Sequence, residues 1–390
     1  MKQSNSTPTN QMNVSKCLLI FFAFLISFLL HLLLFSTAPM VDLIMDEMKL
    51  SHTAFGFIFS IAMVSLVILR IPWGFLSDKF GYVTVLRASL PLITIPAIVR
   101  SFSDTYLTFL ISQFLLGIGL ASILPCLPLI IKEWNPEQTG LGTGVYVSGF
   151  ALGNGTALGL TPYLLEMMPW RLVLRLYALV AVVTTLLWWS LAKSTYQGKD
   201  QFALDAFTDI LQHKYIWVLT SLMIACMGCY DTLATWMPKV LELKTQPKYP
   251  AVLLSIGFLL GGPTTGAVSD EFPSKSILVG FLGVAAVVSI IGIAYTVHIL
   301  LMICIFLASF FITGILTLTL EAPAKLPRFS LAAGKVSGII SSLGNIGPVA
   351  LPVSFGFLID YTGTYHSSLF MVAMVAFVIF ILGASMWENA

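Results

Sequence analysis

Long apolar runs, each about as long as a bilayer is thick, follow one another along almost the whole 390-residue chain. They are read at about 17–41, 53–73, 83–102, 106–131, 140–164, 171–192, 215–238, 250–268, 276–297, 299–321, 332–358 and 367–387. Each run must be helical, because an open strand in hydrocarbon leaves backbone groups unpaired. The expected fold is an all-α membrane protein with twelve transmembrane helices. Hydrophobic residues make up 57% of the chain and charged residues 10%, too few for the surface of an ordinary soluble domain. A net charge of +2 points to no nucleic-acid partner.

A short polar island divides the chain further. Gly74-Phe75-Leu76-Ser77-Asp78-Lys79-Phe80-Gly81 lies between the second and third runs, and Gly266-Ala267-Val268-Ser269-Asp270-Glu271-Phe272-Pro273 lies between the eighth and ninth. The Gly, Ser-Asp and Phe spacing repeats, which identifies two similar halves. A second echo agrees: Val147-Ser148-Gly149 with Gly153-Asn154-Gly155 in the fifth run, and Val336-Ser337-Gly338 with Gly344-Asn345-Ile346-Gly347 in the eleventh. Packing accounts for the glycines. It does not account for an Asn in both copies. The expectation is two pseudo-symmetric six-helix bundles: a disordered cytoplasmic tail over 1–15, an N-terminal bundle over 16–192, a cytoplasmic linker over 193–214 and a C-terminal bundle over 215–390. Phe202, Leu204, Phe207, Ile210 and Leu211 give that linker one apolar face, as a helix on the membrane surface would have.

Basic residues orient the chain. With the amino terminus inside, Lys2, Lys16, Lys79, Arg87, Lys132, Lys193, Lys199, Lys214, Lys275, Lys325, Arg328 and Lys335 are cytoplasmic, against Lys49, Arg100, Arg171, Arg175, Lys239, Lys244 and Lys248 outside. The bias favours both termini inside and both polar islands on the cytoplasmic face of the inner membrane. No signal cleavage site follows the first run, which is read as an uncleaved helix. Cys226-Met227-Gly228-Cys229 has redox-motif spacing but lies within an apolar run, and a structural role is expected. No nucleotide-binding loop is present, and the five histidines are scattered, so no ATP, cofactor, metal or enzymatic centre is expected.

The polar island resembles the loop motif of the major facilitator superfamily, through Gly74, Leu76, Ser77, Asp78, Lys79 and Gly81. The usual basic pair is replaced by Tyr82 and Val83, and Arg87 stands nearby. That resemblance implies a cytoplasmic gate built from Gly74, Asp78, Gly81, Arg87 and Asp270, whose contacts hold one state of a rocking cycle. Arg70-Ile71-Pro72-Trp73-Gly74 is similar to the segment of nitrate and nitrite porters in which an arginine binds the anion. The mate such porters carry in the eighth helix is replaced here by Gly262-Pro263. Gly142-Thr143-Gly144-Val145-Tyr146, Thr161-Pro162 and Trp170-Arg171 look more like the cyanate porter branch. Gln113 stands where several exporters carry a proton-coupling arginine, and Asn154 follows Gly153 where drug antiporters have proline.

An ionisable residue facing lipid costs about 3 kcal/mol or more, so those within runs are expected to face a cavity or a partner. Arg70 is read as an anion anchor, or else as a gate-pairing residue, since guanidinium suits planar oxyanions and carboxylates. Asp231 and His31 are the candidates for proton coupling; aligning Pro39 with Pro238 sets His31 opposite Tyr230, beside Asp231. Tyr146, Ser148, Asn154 and Asn345 are expected to offer neutral hydrogen bonds to a substrate, and Trp73, Trp217 and Trp236 to anchor at the membrane interface. The chain is thus expected to be a monomeric secondary transporter of a small inorganic or organic anion, working by alternating access, with proton coupling as an added expectation. An exporter of an apolar or zwitterionic compound and a non-transporting receptor or scaffold are the other readings.

Overall fold

The computed structural model describes residues 8–193, 212–272, 274–325 and 333–387. Among them, eleven helices are long and apolar enough to cross a membrane: Cys17–Met48, His52–Phe80, Tyr82–Arg100, Tyr106–Trp134, Trp170–Leu191, Lys214–Leu243, Tyr249–Ser269, Lys275–Tyr295, His298–Pro323, Val336–Thr362 and Tyr365–Gly383. One further stretch lies between Trp134 and Trp170. It runs as a helix over Thr139–Gly155, loosens into a π turn at Thr156–Leu160 and continues over Thr161–Met167. Counted as the fifth, it completes twelve spans in chain order. Its glycines, among them Gly140, Gly142, Gly144, Gly149 and Gly153, lower its apolarity. The first helix begins at Pro8, inside the stretch read as a tail. Residues 1–7, the linker over 194–211 and the amphipathic helix expected there lie outside the described residues.

Local signals set the boundaries. Ser51 accepts from the Ala54 amide at 3.2 Å and caps the second span. Gly81, at φ 79°, turns the chain from the second span into the third within one residue, a conformation closed to most side chains.

Packing repeats with an offset of six spans. The first span packs on the fifth as the seventh packs on the eleventh; the second on the fourth as the eighth on the tenth; the third on the sixth as the ninth on the twelfth. Between halves, the second span meets the eleventh and the fifth meets the eighth, again a symmetric pair. Backbones touch at these seams. A Cβ on Gly153 would sit 2.2 Å from the Phe28 carbonyl, and one on Gly347 would sit 2.1 Å from the Ile224 carbonyl.

The halves close on each other at the face opposite the Asp78 turn. Asp360, at the end of the eleventh span, accepts from the backbone amides of His52 at 3.0 Å and Thr53 at 2.8 Å, and from the Thr53 hydroxyl at 2.6 Å. His52 Nδ1 lies 2.7 Å from the same carboxylate. A carboxylate of one half therefore caps the N-terminus of a helix in the other, where the helix dipole favours negative charge. Asp42 pairs with Lys239 and, at 2.8 Å, with Lys248, which also reaches Glu242 at 2.6 Å. Burial opposes the Lys248 charge, but its bonds to the Asp42 and Glu242 carboxylates outweigh that and hold its pKa above the ordinary lysine value. Beneath this layer Trp236 is fully buried, with Nε1 donating to the Pro352 carbonyl at 3.0 Å and its ring stacked on Phe355. The membrane-interface role expected of Trp236 is thus replaced by a seal between halves; Trp73 also turns inward, to the Ile118 carbonyl, whereas Trp217 is exposed.

Candidate functional site

A cavity of about 700 Å³ lies between the halves, reaching from His31, Phe150 and Phe258 at its closed end to Ser77 and Asp78 at the other. Its wall follows helical periodicity. Met63, Leu66, Arg70, Gly74 and Ser77 form one stripe of the second span; Met223, Cys226 or Met227, and Tyr230 with Asp231 form one of the seventh; Ser337 or Gly338, Ser341 and Asn345 form one of the eleventh. Arg70 thus sits where a helix face spaced three and four residues apart meets the space between halves.

Arg70 is 6% exposed. Its Nη1 donates to the Ser341 carbonyl of the other half at 3.1 Å, and its buried Nε has no hydrogen-bond partner. Asp231, 7% exposed, stands on the wall across from it. Their charges act on each other, yet they do not meet as an ion pair. This leaves a guanidinium and a carboxylate, from opposite halves, each with capacity for another ligand. Among the described residues no group of three or more His, Cys, Asp or Glu is arranged to hold a metal ion.

The closed end is aromatic. His31 stacks on Phe150 with centroids 4.6 Å apart, Tyr146 meets Phe150 edge-on, and both His31 and Tyr230 pack against Phe258 of the eighth span. His31 and Tyr230, from different halves, therefore both reach the Phe258 ring. His31 Nδ1 has no hydrogen-bond partner.

The predicted polar residues divide. Tyr146 and Asn345 line the cavity, the Asn345 amide donating to the Ser341 carbonyl at 2.8 Å. Asn154 is fully buried behind the wall, where its amide donates to the Tyr230 hydroxyl at 2.5 Å and so joins the fifth span to the seventh. Ser148 bonds back to the Val145 carbonyl and is not on the wall. At the open end, Gly74 and Asp78 line the cavity and Gly81 makes the turn. Arg87 donates to the Ala192 carbonyl at 3.0 Å, closing the end of the sixth span. The backbone of Asp270 lies in the helix Val252–Glu271, and its side chain is outside the described residues.

Sequence reasoning missed two constellations. One is the opposite-face seal of Asp42, His52, Thr53, Lys239, Lys248 and Asp360, whose partners are about 190 to 310 residues apart in the chain. The other surrounds Arg100, counted from sequence as an outer-loop residue. It is fully buried, with Nη1 donating to the Leu33 carbonyl at 3.0 Å and Gln113 Oε1 at 2.9 Å, and Nη2 donating to Ser36 at 3.1 Å. Gln113 continues to the Ile58 carbonyl, so four spans are tied together. The available signal was the pairing of an arginine at one run's end with a glutamine in the next. Trp170 and Arg171 both hold the Glu47 carboxylate, which gives that pair a structural role.

Residues 23–249 match the family model of the Major Facilitator Superfamily. The chain is 24% identical over 353 residues to a probable nitrate transporter, NarT, of Staphylococcus carnosus, covering 86% of this chain and 87% of that protein. It is 23% identical over 377 residues to a probable nitrate/nitrite antiporter, NarK1, of Thermus thermophilus, covering 87% and 84%. The fold is similar to a bacterial homologue of the human lysosomal transporter Spinster in an inward-facing, unoccupied conformation, with a TM-score of 0.77 at 16% identity over 96% of this chain and 98% of that one.

Proposed function

The chain belongs to the major facilitator superfamily, and from that membership we propose that it carries a small anion across the cytoplasmic membrane, anchored by Arg70 during alternating access. It is a secondary transporter and not an enzyme. The observation that carries the anion reading is Arg70 itself: a buried cation on the cavity wall, bonded to the opposite half and with donors to spare. The relatives named for nitrate support the same class. Gly262 and Pro263 line the wall where a second arginine would stand in the paired site of nitrate porters, so this site holds its anion with one guanidinium.

Asp231, in the opposite half, is the proton carrier in this reading. An anion on Arg70 offsets the positive charge that Asp231 faces, so the anion's arrival favours protonation of Asp231 and couples the two movements. Asp78 and the outer seal are then the alternate closures of the cycle, with the termini and the Asp78 face cytoplasmic, as the basic-residue bias favours. The carrier acts as a monomer, each copy enclosing its own cavity.

The test is binding and uptake by purified protein reconstituted in liposomes, with Arg70→Gln beside it. An anion that binds only the folded protein raises its stability by about 2.7 kcal/mol at a hundredfold excess over Kd. That gain and anion uptake are expected in the wild type and absent in the variant. Ligands that are all neutral or cationic, unaffected by the substitution, would reject the anion reading.

A further inference from the structure

We propose that the solute of this cavity is an organic monoanion, a carboxylate on an apolar or aromatic body, and not a bare oxyanion such as nitrate. The inference rests on the anion reading above and narrows it. Charge is its first support. Arg70 is the one Lys or Arg on the cavity wall among the described residues, and it shares that wall with Asp78 and Asp231. A dianion would meet one cation and two carboxylates there. A small oxyanion would give up water on all sides and meet a cation on one side only, because Gly262 offers no second one, and its other oxygens would be left to neutral donors such as Tyr146 and Asn345. A carboxylate attached to carbon has two oxygens on one edge and needs polar partners only there.

The free donors match that edge. With Nη1 on the Ser341 carbonyl, the Nε and Nη2 groups of Arg70 carry no hydrogen bond among the described residues. Nε is covered in this conformation, so a turn of the guanidinium brings the Nε and Nη2 edge to the cavity as the fork that a carboxylate takes bidentately. The space beyond supplies the third support. Met63 and Leu66 continue the Arg70 stripe towards the closed end, where Leu34, Phe150 and Phe258 complete an apolar, ring-lined pocket. A cavity of about 700 Å³ has room for an organic ligand, whereas a three- or four-atom oxyanion at Arg70 would leave the apolar pocket beyond it without contacts. The head group lies at Arg70, and the body lies along these side chains towards His31.

The test is a binding series on the full-length protein, read by thermal stabilisation. The probes are nitrate, the straight-chain carboxylates from acetate to hexanoate, benzoate, phenylacetate, succinate, benzamide and phenylalanine. Affinity should rise about fourfold for each added methylene. Benzoate and phenylacetate should bind at least tenfold more tightly than nitrate, succinate should bind no better than acetate, and Arg70→Gln should cost benzoate at least tenfold. Phe150→Ala should flatten the chain-length series, which keeps the proposal testable if the arginine variant does not fold. Nitrate binding with a flat carboxylate series would overturn this inference and leave the anion reading standing. Benzamide binding as well as benzoate, with no effect of Arg70→Gln, would overturn both. Phenylalanine binding more tightly than phenylacetate by well over the roughly fourfold due to its extra carbon would assign Asp231 to an ammonium group and overturn the monoanion.

Discussion

Arg70 and Arg100 look alike in the sequence, each at the end of an apolar stretch, yet they do different work. Arg70 touches one protein acceptor and faces open space; Arg100 meets three, all neutral, in a closed interior. An arginine surrounded by protein acceptors is a structural tie. Arg100→Leu should therefore lower stability by about 2–4 kcal/mol, since it leaves Gln113 Oε1 unpaired in the interior and the Leu33 carbonyl with the Ser36 hydroxyl as its remaining side-chain donor. Thermal unfolding of the purified variant in detergent is the check, with solute affinity expected to stay within about twofold of wild type. Asp231 belongs at this scale too. If it carries the proton, Asp231→Asn retains solute exchange between the two sides of a liposome and loses accumulation driven by a proton gradient. Loss of both, with the protein folded, would make Asp231 a substrate ligand. The sequence made Arg70 and Asp231 visible as charges in apolar runs. It counted Arg100 among the loop residues, because a loop end and a buried helix end read the same until the neighbouring spans are in place.

At the scale of the element, the fifth span is the one that hydropathy describes least well. Its glycines make it weakly apolar, and a π turn interrupts it, yet it packs on the first span and lines the cavity through Thr143, Tyr146 and Phe150. Small residues along a membrane helix mark close approach, not a poor membrane helix. A matched pair of substitutions separates the two readings. Gly153→Val drives a side chain into the Phe28 carbonyl and should abolish folded protein, whereas Gly144→Ala meets nothing within 4 Å and should be neutral or stabilising by about 0.5–1 kcal/mol. Size-exclusion profiles and melting curves of the two variants are the measurement. The Asn in the repeated motif also divides at this scale. Asn345 reaches the cavity and Asn154 lies behind it, because the fifth span is turned so that Tyr146 and Phe150 face inward.

Across the whole molecule, the two halves meet at one face and part at the other. The seal is polar at the surface, where Asp360 caps the second span and Asp42 bridges Lys239 and Lys248, and apolar beneath, where Trp236 of the seventh span packs against the eleventh and second spans. The polar layer must break for the cavity to open on that side. With native cysteines replaced and Tyr146→Cys introduced, an impermeant thiol reagent should label the protein mainly from the Asp78 side. Adding Asp360→Asn and Lys239→Gln should give labelling from both sides, and unchanged one-sided labelling would remove these residues from the closure.

The run lengths, the repeated polar island and the glycine-rich echo were enough to read an all-helical, twofold-repeated membrane protein, because a bilayer permits little else and a repeat requires a symmetric partner for each span; that it is a transporter was implied by the island's resemblance to the superfamily's loop motif. Arg70, Asp231, His31 and Tyr146 were legible for the same reason: polar atoms in apolar runs must face one another or a cavity. The seal opposite the Asp78 turn, the Arg100 tie, the burial of Trp236 and the aromatic end of the cavity were not. Each depends on which faces of distant helices meet, and at one span's distance from solvent a small rotation exchanges a lipid-facing side chain for a buried one. That rotation is set by packing between spans, which no single run contains.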